Sequence, residues 1–357
     1  MEMKKTMGNK GNLMTQDPRQ LLELARGWMK QGNTTVAFQL LNEAIKLEQT
    51  DGDKLVKGEI TKEIGRAYIL TGHWERAEDA CQQAASIFLD QNYYKGAAEA
   101  IRNLANMKFQ QGLFDESNVL CKRAVDWATE SGDFQLRATI LNTQGAIKSI
   151  EGNQKEAIKI LRMCLSDFQR SGNRLRQAYV FHNIGLAQLE TGEYIKAKSS
   201  LEEALSLALE NKDTNLVEIC YQNMAKLYLR LGDICAARSL IRPARELLEI
   251  LKSPNLTADL AIIEAEAYRI SGDLRKADSI LELALEAARE NNLLQHEAEI
   301  LCEAGQAAIE LGQPDIARSR LEAAITIFRK TGSNQLEKAV ERLKNLEASA
   351  KREVRVA

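Results

Sequence analysis

Aromatic residues make up only 5% of this 357-residue chain, and proline occurs four times and histidine three times. Strands favour aromatic and β-branched side chains, so this poverty argues against a sandwich or barrel. No stretch approaches the roughly 20 continuous apolar residues that a membrane span requires. Met1 to Gln16 holds no apolar core of signal-peptide length, so a soluble, cytoplasmic chain without membrane attachment is expected. A cleaved organellar presequence is the alternative reading of this leader, although it lacks arginine. An excess of either charge is missing too, since 48 Lys and Arg face 50 Asp and Glu. With no net positive charge to release counterions, a nucleic-acid partner is not expected.

The usual signatures of chemistry are also lacking. No pair among Cys81, Cys121, Cys164, Cys220, Cys235 and Cys302 has the two-residue gap of a zinc knuckle or redox site, and free buried thiols acting as small hydrophobes explain them. His73, His182 and His296 lie more than 100 residues apart. No glycine precedes the Lys-Ser or Lys-Thr pair of a phosphate loop. The expectation is a protein with no catalytic residue, no metal and no cofactor, and thus not an enzyme.

What the chain has in abundance is periodicity. Gly32, Gly72, Gly112, Gly152, Gly192, Gly232, Gly272 and Gly312 recur every 40 residues, each in a short polar phrase such as Thr191-Gly192-Glu193. Glycine accepts the left-handed backbone that closes a helix, and an Asn or Asp after it can cap the next one. A second breaker falls midway, as in Ser131-Gly132-Asp133, Ser171-Gly172-Asn173 and Asn291-Asn292. Two breakers per period leave room for two helices of about 17 residues, roughly 25 Å each. Each period is therefore a helical hairpin.

Small residues say how the hairpins touch. Ala37, Ala77, Ser117, Ala157, Ala197, Ala237, Ala277 and Ala317 sit five residues after each turn glycine. Ala44, Ala84, Ala124, Cys164, Ala204, Ala244, Ala284 and Ala324 follow one heptad later, on the same helix face. On the first helix, Ala25, Gly65, Ala105, Gly145, Gly185, Ala225, Ala265 and Gly305 form a third column. Such columns let helix axes approach at the short end of the 8 to 10 Å range. Pro243 falls inside the sixth hairpin's second helix, with Pro254 soon after, and a bend is expected between them.

The order of the columns, as in Gly65, Tyr68, Gly72, Ala77 and Ala84, resembles the tetratricopeptide repeat over nearly the whole chain. The 40-residue period is similar to the long-repeat subclass of kinesin light chains, Pins-type spindle-orientation proteins and bacterial quorum-sensing regulators. The resemblance implies an all-α, right-handed α-solenoid of eight hairpins over 17–333, after a disordered leader at 1–16. Residues 334–350, with Leu336, Ala339, Val340, Leu343 and Leu346 at helical spacing, should form a C-terminal capping helix that covers the last repeat. Residues 351–357 read as a frayed basic tail.

In this fold the first helices line a concave groove, which makes their non-seam residues the candidate site for a peptide or protein partner. Asn103, Asn183 and Asn223 share one repeat position, and Asn142 lies beside Thr143 in the fourth hairpin. Amides donate and accept at once, so a ladder of them can pair with an extended backbone. Long-repeat relatives use first-helix asparagines this way, and the phrase around His182 and Asn183 is similar to theirs. The competing reading is that these amides bond neighbouring repeats. Arg26, Lys62, Arg66 and Arg102, with Lys226 and Arg230 further along, could clamp acidic groups. Glu23, Glu59, Glu63 and Glu99 share that region, so a mixed face with internal ion pairs is the other reading. The function expected is a scaffold or adaptor. The alternative is an assembly factor acting through its convex surface or as a homo-oligomer.

Overall fold

A computed structural model describes residues 17–48, 52–331, 333 and 335–356. The leader at 1–16 lies outside them. The described residues form seventeen helices and no strand. Paired in chain order, the first sixteen make eight hairpins: α1 (Pro18–Lys30) with α2 (Thr34–Leu47), α3 (Lys54–Leu70) with α4 (Trp74–Asp90), α5 (Tyr94–Gln110) with α6 (Phe114–Glu130), and α7 (Phe134–Ile150) with α8 (Gln154–Arg170). Next come α9 (Arg174–Glu190) with α10 (Tyr194–Glu210), α11 (Thr214–Arg230) with α12 (Ile234–Leu251), α13 (Pro254–Ile270) with α14 (Leu274–Glu290), and α15 (Leu294–Glu310) with α16 (Pro314–Thr331). The final helix, α17, spans Leu336–Val356. It runs past the end expected at 350, because Lys351 to Val356 contains no glycine or proline to stop it.

The helices fall into two compact units. One comprises residues up to Lys148 together with Met163–Gly172, and the other comprises Ser149–Arg162 and the chain from Asn173 onward.

The turns explain the regularity. All eight glycines of the ladder have φ between 72° and 83°, in the left-handed region. The midway turns reach the same region with Gly132 and Gly172, but also with Asn92, Lys212, Lys252 and Asn292 at φ 48° to 56°. A left-handed residue therefore punctuates most of the chain every 20 positions. Side-chain caps follow the turns: Asn33, Asn173, Asp213, Asp233 and Asp273 each accept from a backbone N–H three residues on. α12 is one continuous helix of 18 residues across Pro243. The change of direction comes at Lys252, where Ser253 caps α13 and Pro254 takes its first position.

The small columns are the packing seams. Every member of the Ala37 column is fully buried, Ser117 included. Ser117 also donates from Oγ to the Ala105 carbonyl at 2.8 Å. Glycine is needed where helices come closest: a Cβ on Gly65 would lie 2.7 Å from Cys81 Sγ, and one on Gly185 2.8 Å from Leu201 Cγ. Around these seams Phe88, Ile101, Leu104, Met107, Ile140 and Ile147 fill the core of the first unit. Leu281, Ile300, Leu301, Leu321 and Phe328 fill one in the second. Each such side chain contributes about 1.5 to 3 kcal/mol by leaving water. On α17, Ala339 and Leu346 are buried, while Glu337, Lys338, Glu341, Lys344 and Glu347 face solvent.

Candidate interaction face

In the first unit, α1, α3 and α5 border an open cleft of about 430 Å³. Arg26, Lys62, Arg66, Arg102 and Asn103 all line it, so the fold gathers five of the candidate residues in one place. Their spacing explains this. First helices repeat every 40 residues, and a side chain at i meets one at i+37 on the next first helix, one turn back along it. Arg26 Nε bonds Glu63 Oε1 at 3.0 Å across that interval, and Lys62 bonds Glu99 across the same interval.

Arg26 and Lys62 are consumed by these pairs. Arg26 also holds Glu23 Oε1 at 2.6 Å and Glu59. Burial lowers its pKa, but Glu63, Glu23 and Glu59 more than offset that and hold the guanidinium above its ordinary value. Lys62, only 5% exposed, bonds Glu59 at 3.0 Å as well as Glu99. For both residues the mixed face with internal ion pairs is what the structure contains.

Arg66 and Arg102 differ. Arg66 is exposed, and its ion pair is one long contact of 3.4 Å to Glu63. Arg102 makes a single 3.3 Å bond to Asn103 Oδ1, and its Nε is buried with no partner. Burial pushes the Arg102 guanidinium below its ordinary pKa; Glu99 opposes this and Arg66 adds to it. A half-buried guanidinium that borders an open cleft with no carboxylate paired to it is suited to an anion. Tyr93, at the N-terminus of α5, joins the lining through a hairpin turn that the glycine ladder does not mark.

The asparagine column divides. Asn223, 7% exposed, donates from Nδ2 to His182 Nε2 at 2.9 Å and to the Ile219 carbonyl at 3.0 Å. His182, 9% exposed, then carries its proton on Nδ1, which lies 3.2 Å from Asn183 Oδ1. Burial lowers the pKa of this imidazole, helped by Lys226, so it is neutral at pH 7. These two side chains tie α9 to α11. Asn103, Asn142 and Asn183 are half-buried, and the last two are engaged within the protein. Lys226 is half-buried and Arg230 exposed.

Among the described residues no group of three or more His, Cys, Asp and Glu could hold a metal ion. Burial pushes the thiols of Cys81, Cys164 and Cys220 up to about 12 and that of Cys121 to about 11, which leaves them unreactive at neutral pH. No helix among the described residues is long and apolar enough to cross a membrane.

Comparison with known proteins bears out the fold. The tetratricopeptide repeat family model matches residues 178–211, which are most of α9 and all of α10. Regulatory protein RapG of Bacillus subtilis is 24% identical over 243 residues, covering 66% of this chain and 64% of RapG, just under two thirds of its length. The apo form of the quorum sensor NprR from B. thuringiensis superposes with a TM-score of 0.70 at 15% identity, covering 92% of this chain and 91% of NprR. A Rap protein complexed with Competence and Sporulation Factor superposes at 0.59 with 14% identity, covering 93% and 98%. These relatives are named for regulation and sensing, not for catalysis. The chain carries a tetratricopeptide repeat at 178–211 and has, along its length, the α-solenoid fold of helical hairpins that these regulators have.

Proposed function

We propose that this chain is a non-enzymatic scaffold, working inside the cell, that holds an acidic segment of a partner protein against its first helices. Carboxylates of that segment are seated on Arg66 and Arg102 in the cleft of α1, α3 and α5, with Asn103 at hand for its backbone. The observation that carries the reading is Arg102, a half-buried guanidinium in an open cleft whose Nε has no partner. Arg102 lines the cleft with no carboxylate paired to it, so a bound carboxylate would supply a charge-assisted hydrogen bond worth about 1.5 to 3 kcal/mol. The fold is compatible with this role, since a Rap protein of the same fold has been solved complexed with Competence and Sporulation Factor.

The test is binding of a fluorescent Glu-rich peptide, read by anisotropy. Arg102→Gln should weaken it by about tenfold or more, the worth of one charge-assisted hydrogen bond. Glu63→Gln, which frees Arg66, should tighten it. Arg26→Gln removes no available donor and tests the wall's integrity. Unchanged affinity for Arg102→Gln together with loss for Arg26→Gln would show that the cleft is not where acid binds. Self-association, the second reading, predicts a concentration-dependent dimer by sedimentation that Arg102→Gln leaves unaltered.

A further inference from the structure

One carboxylate stands where no other hairpin has one. Gly58, Ala98, Ala138, Ala178, Ala258 and Ala298 occupy the same place on their first helices, and all are buried. On α11 the residue is Glu218, fully buried. Its Oε1 accepts a hydrogen bond from Gln222 Nε2, and its Oε2 has no partner. The same Gln222 Nε2 donates at 2.9 Å to the Leu256 carbonyl, in the first turn of α13. Gln222 thus ties Glu218 to the start of the seventh hairpin.

The other side of that turn is empty. An open pocket of about 260 Å³ lies among Pro254, Thr257, Ala258, Ala284 and Ala288. The second, fourth and eighth hairpins put the buried rings of Phe88, Phe168 and Phe328 at the position of Ala288. The third and fifth have alanine there but a large residue just before it, Trp127 or Leu207. The seventh hairpin has Ala287 and Ala288 together. The chain enters this turn through Lys252, a non-glycine residue at φ 48°. The start of α13 is therefore held on one side by the Gln222 bridge and by Leu256 packed against the core, and has room to move on the other.

We propose that Glu218 makes the junction between the sixth and seventh hairpins a pH-sensitive joint: with its carboxyl protonated the start of α13 stays seated against the Gln222 bridge, and on ionisation the unpartnered Oε2 and the repulsion from Asp259 outweigh that bridge, so that the turn shifts toward the open pocket and water reaches Oε2.

The surrounding charges favour this direction. Burial is the main cause that pushes Glu218 up, to about 7; the Gln222 bond opposes it and Asp259 on α13 reinforces it. Asp259 in turn lies 3.6 Å from His296 Nε2 on α15, and that contact, against the opposing effect of burial, raises the histidine's pKa. As pH rises, Glu218 gains a negative charge while His296 loses the positive charge that screens Asp259, so repulsion across the seam grows from both sides. The other neighbours are engaged elsewhere or neutral. Arg245 of α12 pairs with Glu264 of α13, Lys198 of α10 sits over the Tyr228 ring, and His182 of α9 is uncharged. Lys226, on α11 itself, acts on both His182 and His296.

Hydrogen exchange of the full chain, followed by mass spectrometry and corrected for the intrinsic rate, tests the joint. Peptides covering 252–258 should lose protection above about pH 7, by up to about tenfold per pH unit for one linked proton. Peptides from α3 and α5 should show no such loss. In Glu218→Gln, which keeps the shape of the neutral acid, 252–258 should respond to pH no more than α3 does. Glu218→Ala, with the side chain that five of the other hairpins carry at this position, should behave alike. Wild-type protection that is flat between about pH 6 and about pH 8 overturns the proposal, as does a full pH response retained in both variants.

Discussion

Asp167 offers a measurement of what the polar interior of the first unit is worth. Its side chain is 1% exposed, and both carboxylate oxygens are held by one guanidinium, with Arg137 Nε at 2.7 Å and Nη2 at 2.5 Å. Replacing Arg137 by Met keeps most of the volume and leaves a buried carboxylate with no counter-charge. That situation costs about 3 to 5 kcal/mol. The partner substitution, Asp167→Leu, should cost less, because Arg137 is 23% exposed and can turn its charge to water. With both replaced, the site becomes an apolar contact next to the Phe134 ring, over which Arg137 already lies at 5.4 Å. The double variant should then be more stable than Arg137→Met alone, with a coupling of about 2 kcal/mol or more. Urea unfolding followed by circular dichroism gives the four stabilities. If the double variant equals the sum of the single ones within about 0.5 kcal/mol, the two groups do not depend on each other and the reasoning fails.

Two further outcomes follow from the sixth and seventh hairpins. Ala288→Phe puts into the pocket beside Ala258 the ring that the second, fourth and eighth hairpins carry there, and should raise stability by about 1 to 2 kcal/mol; a lowered melting temperature would mean that the space cannot take a ring. Glu218→Ala should change how stability depends on pH. Because the folded pKa, about 7, lies above the ordinary 4.5, the native state holds this proton more tightly than the unfolded chain does. Stability from that proton is full below about 4.5 and is lost as pH rises through about 7, a difference of at most about 3 kcal/mol. The variant should therefore melt higher than wild type at about pH 8 and show a flatter profile between about pH 5 and about pH 8.

The hairpins were legible because glycine is nearly obligatory where a helix must close in the left-handed region, and a 40-residue ladder of them leaves little choice of topology. The midway turns were only half legible. Lys212 and Lys252 hold the left-handed conformation without the residue that advertises it, their strain carried by the packed helices on either side. The candidate face was legible in position but not in state. Nothing in the local phrase around Asn223 tells that its amide is spent on His182, since 41 residues separate them. The ion pairs had a signal in the opposite charges at i and i+37, Arg26 with Glu63 and Lys62 with Glu99. It becomes visible only once successive first helices are known to lie side by side. Glu218 is the clearest omission, because it stands out only when its column is read as a column, in which the first hairpin supplies Pro18 and the other six glycine or alanine.

The difference between paired and unpaired basic residues decides what an acidic guest can gain from the cleft. A carboxylate that binds Arg26 must displace Glu59 or Glu63, and Glu63 is only 5% exposed, so the exchange trades one ion pair for another and leaves a buried acid behind. Lys62 presents the same problem with Glu59 and Glu99. Arg102 has no carboxylate to release, and Arg66 has only the weaker claim of Glu63 at 3.4 Å. Affinity should therefore concentrate in these two residues even though four line the cleft. On the proposed reading the internal glutamates would act as competitors, disfavouring guests whose charge cannot reach both Arg66 and Arg102 at once.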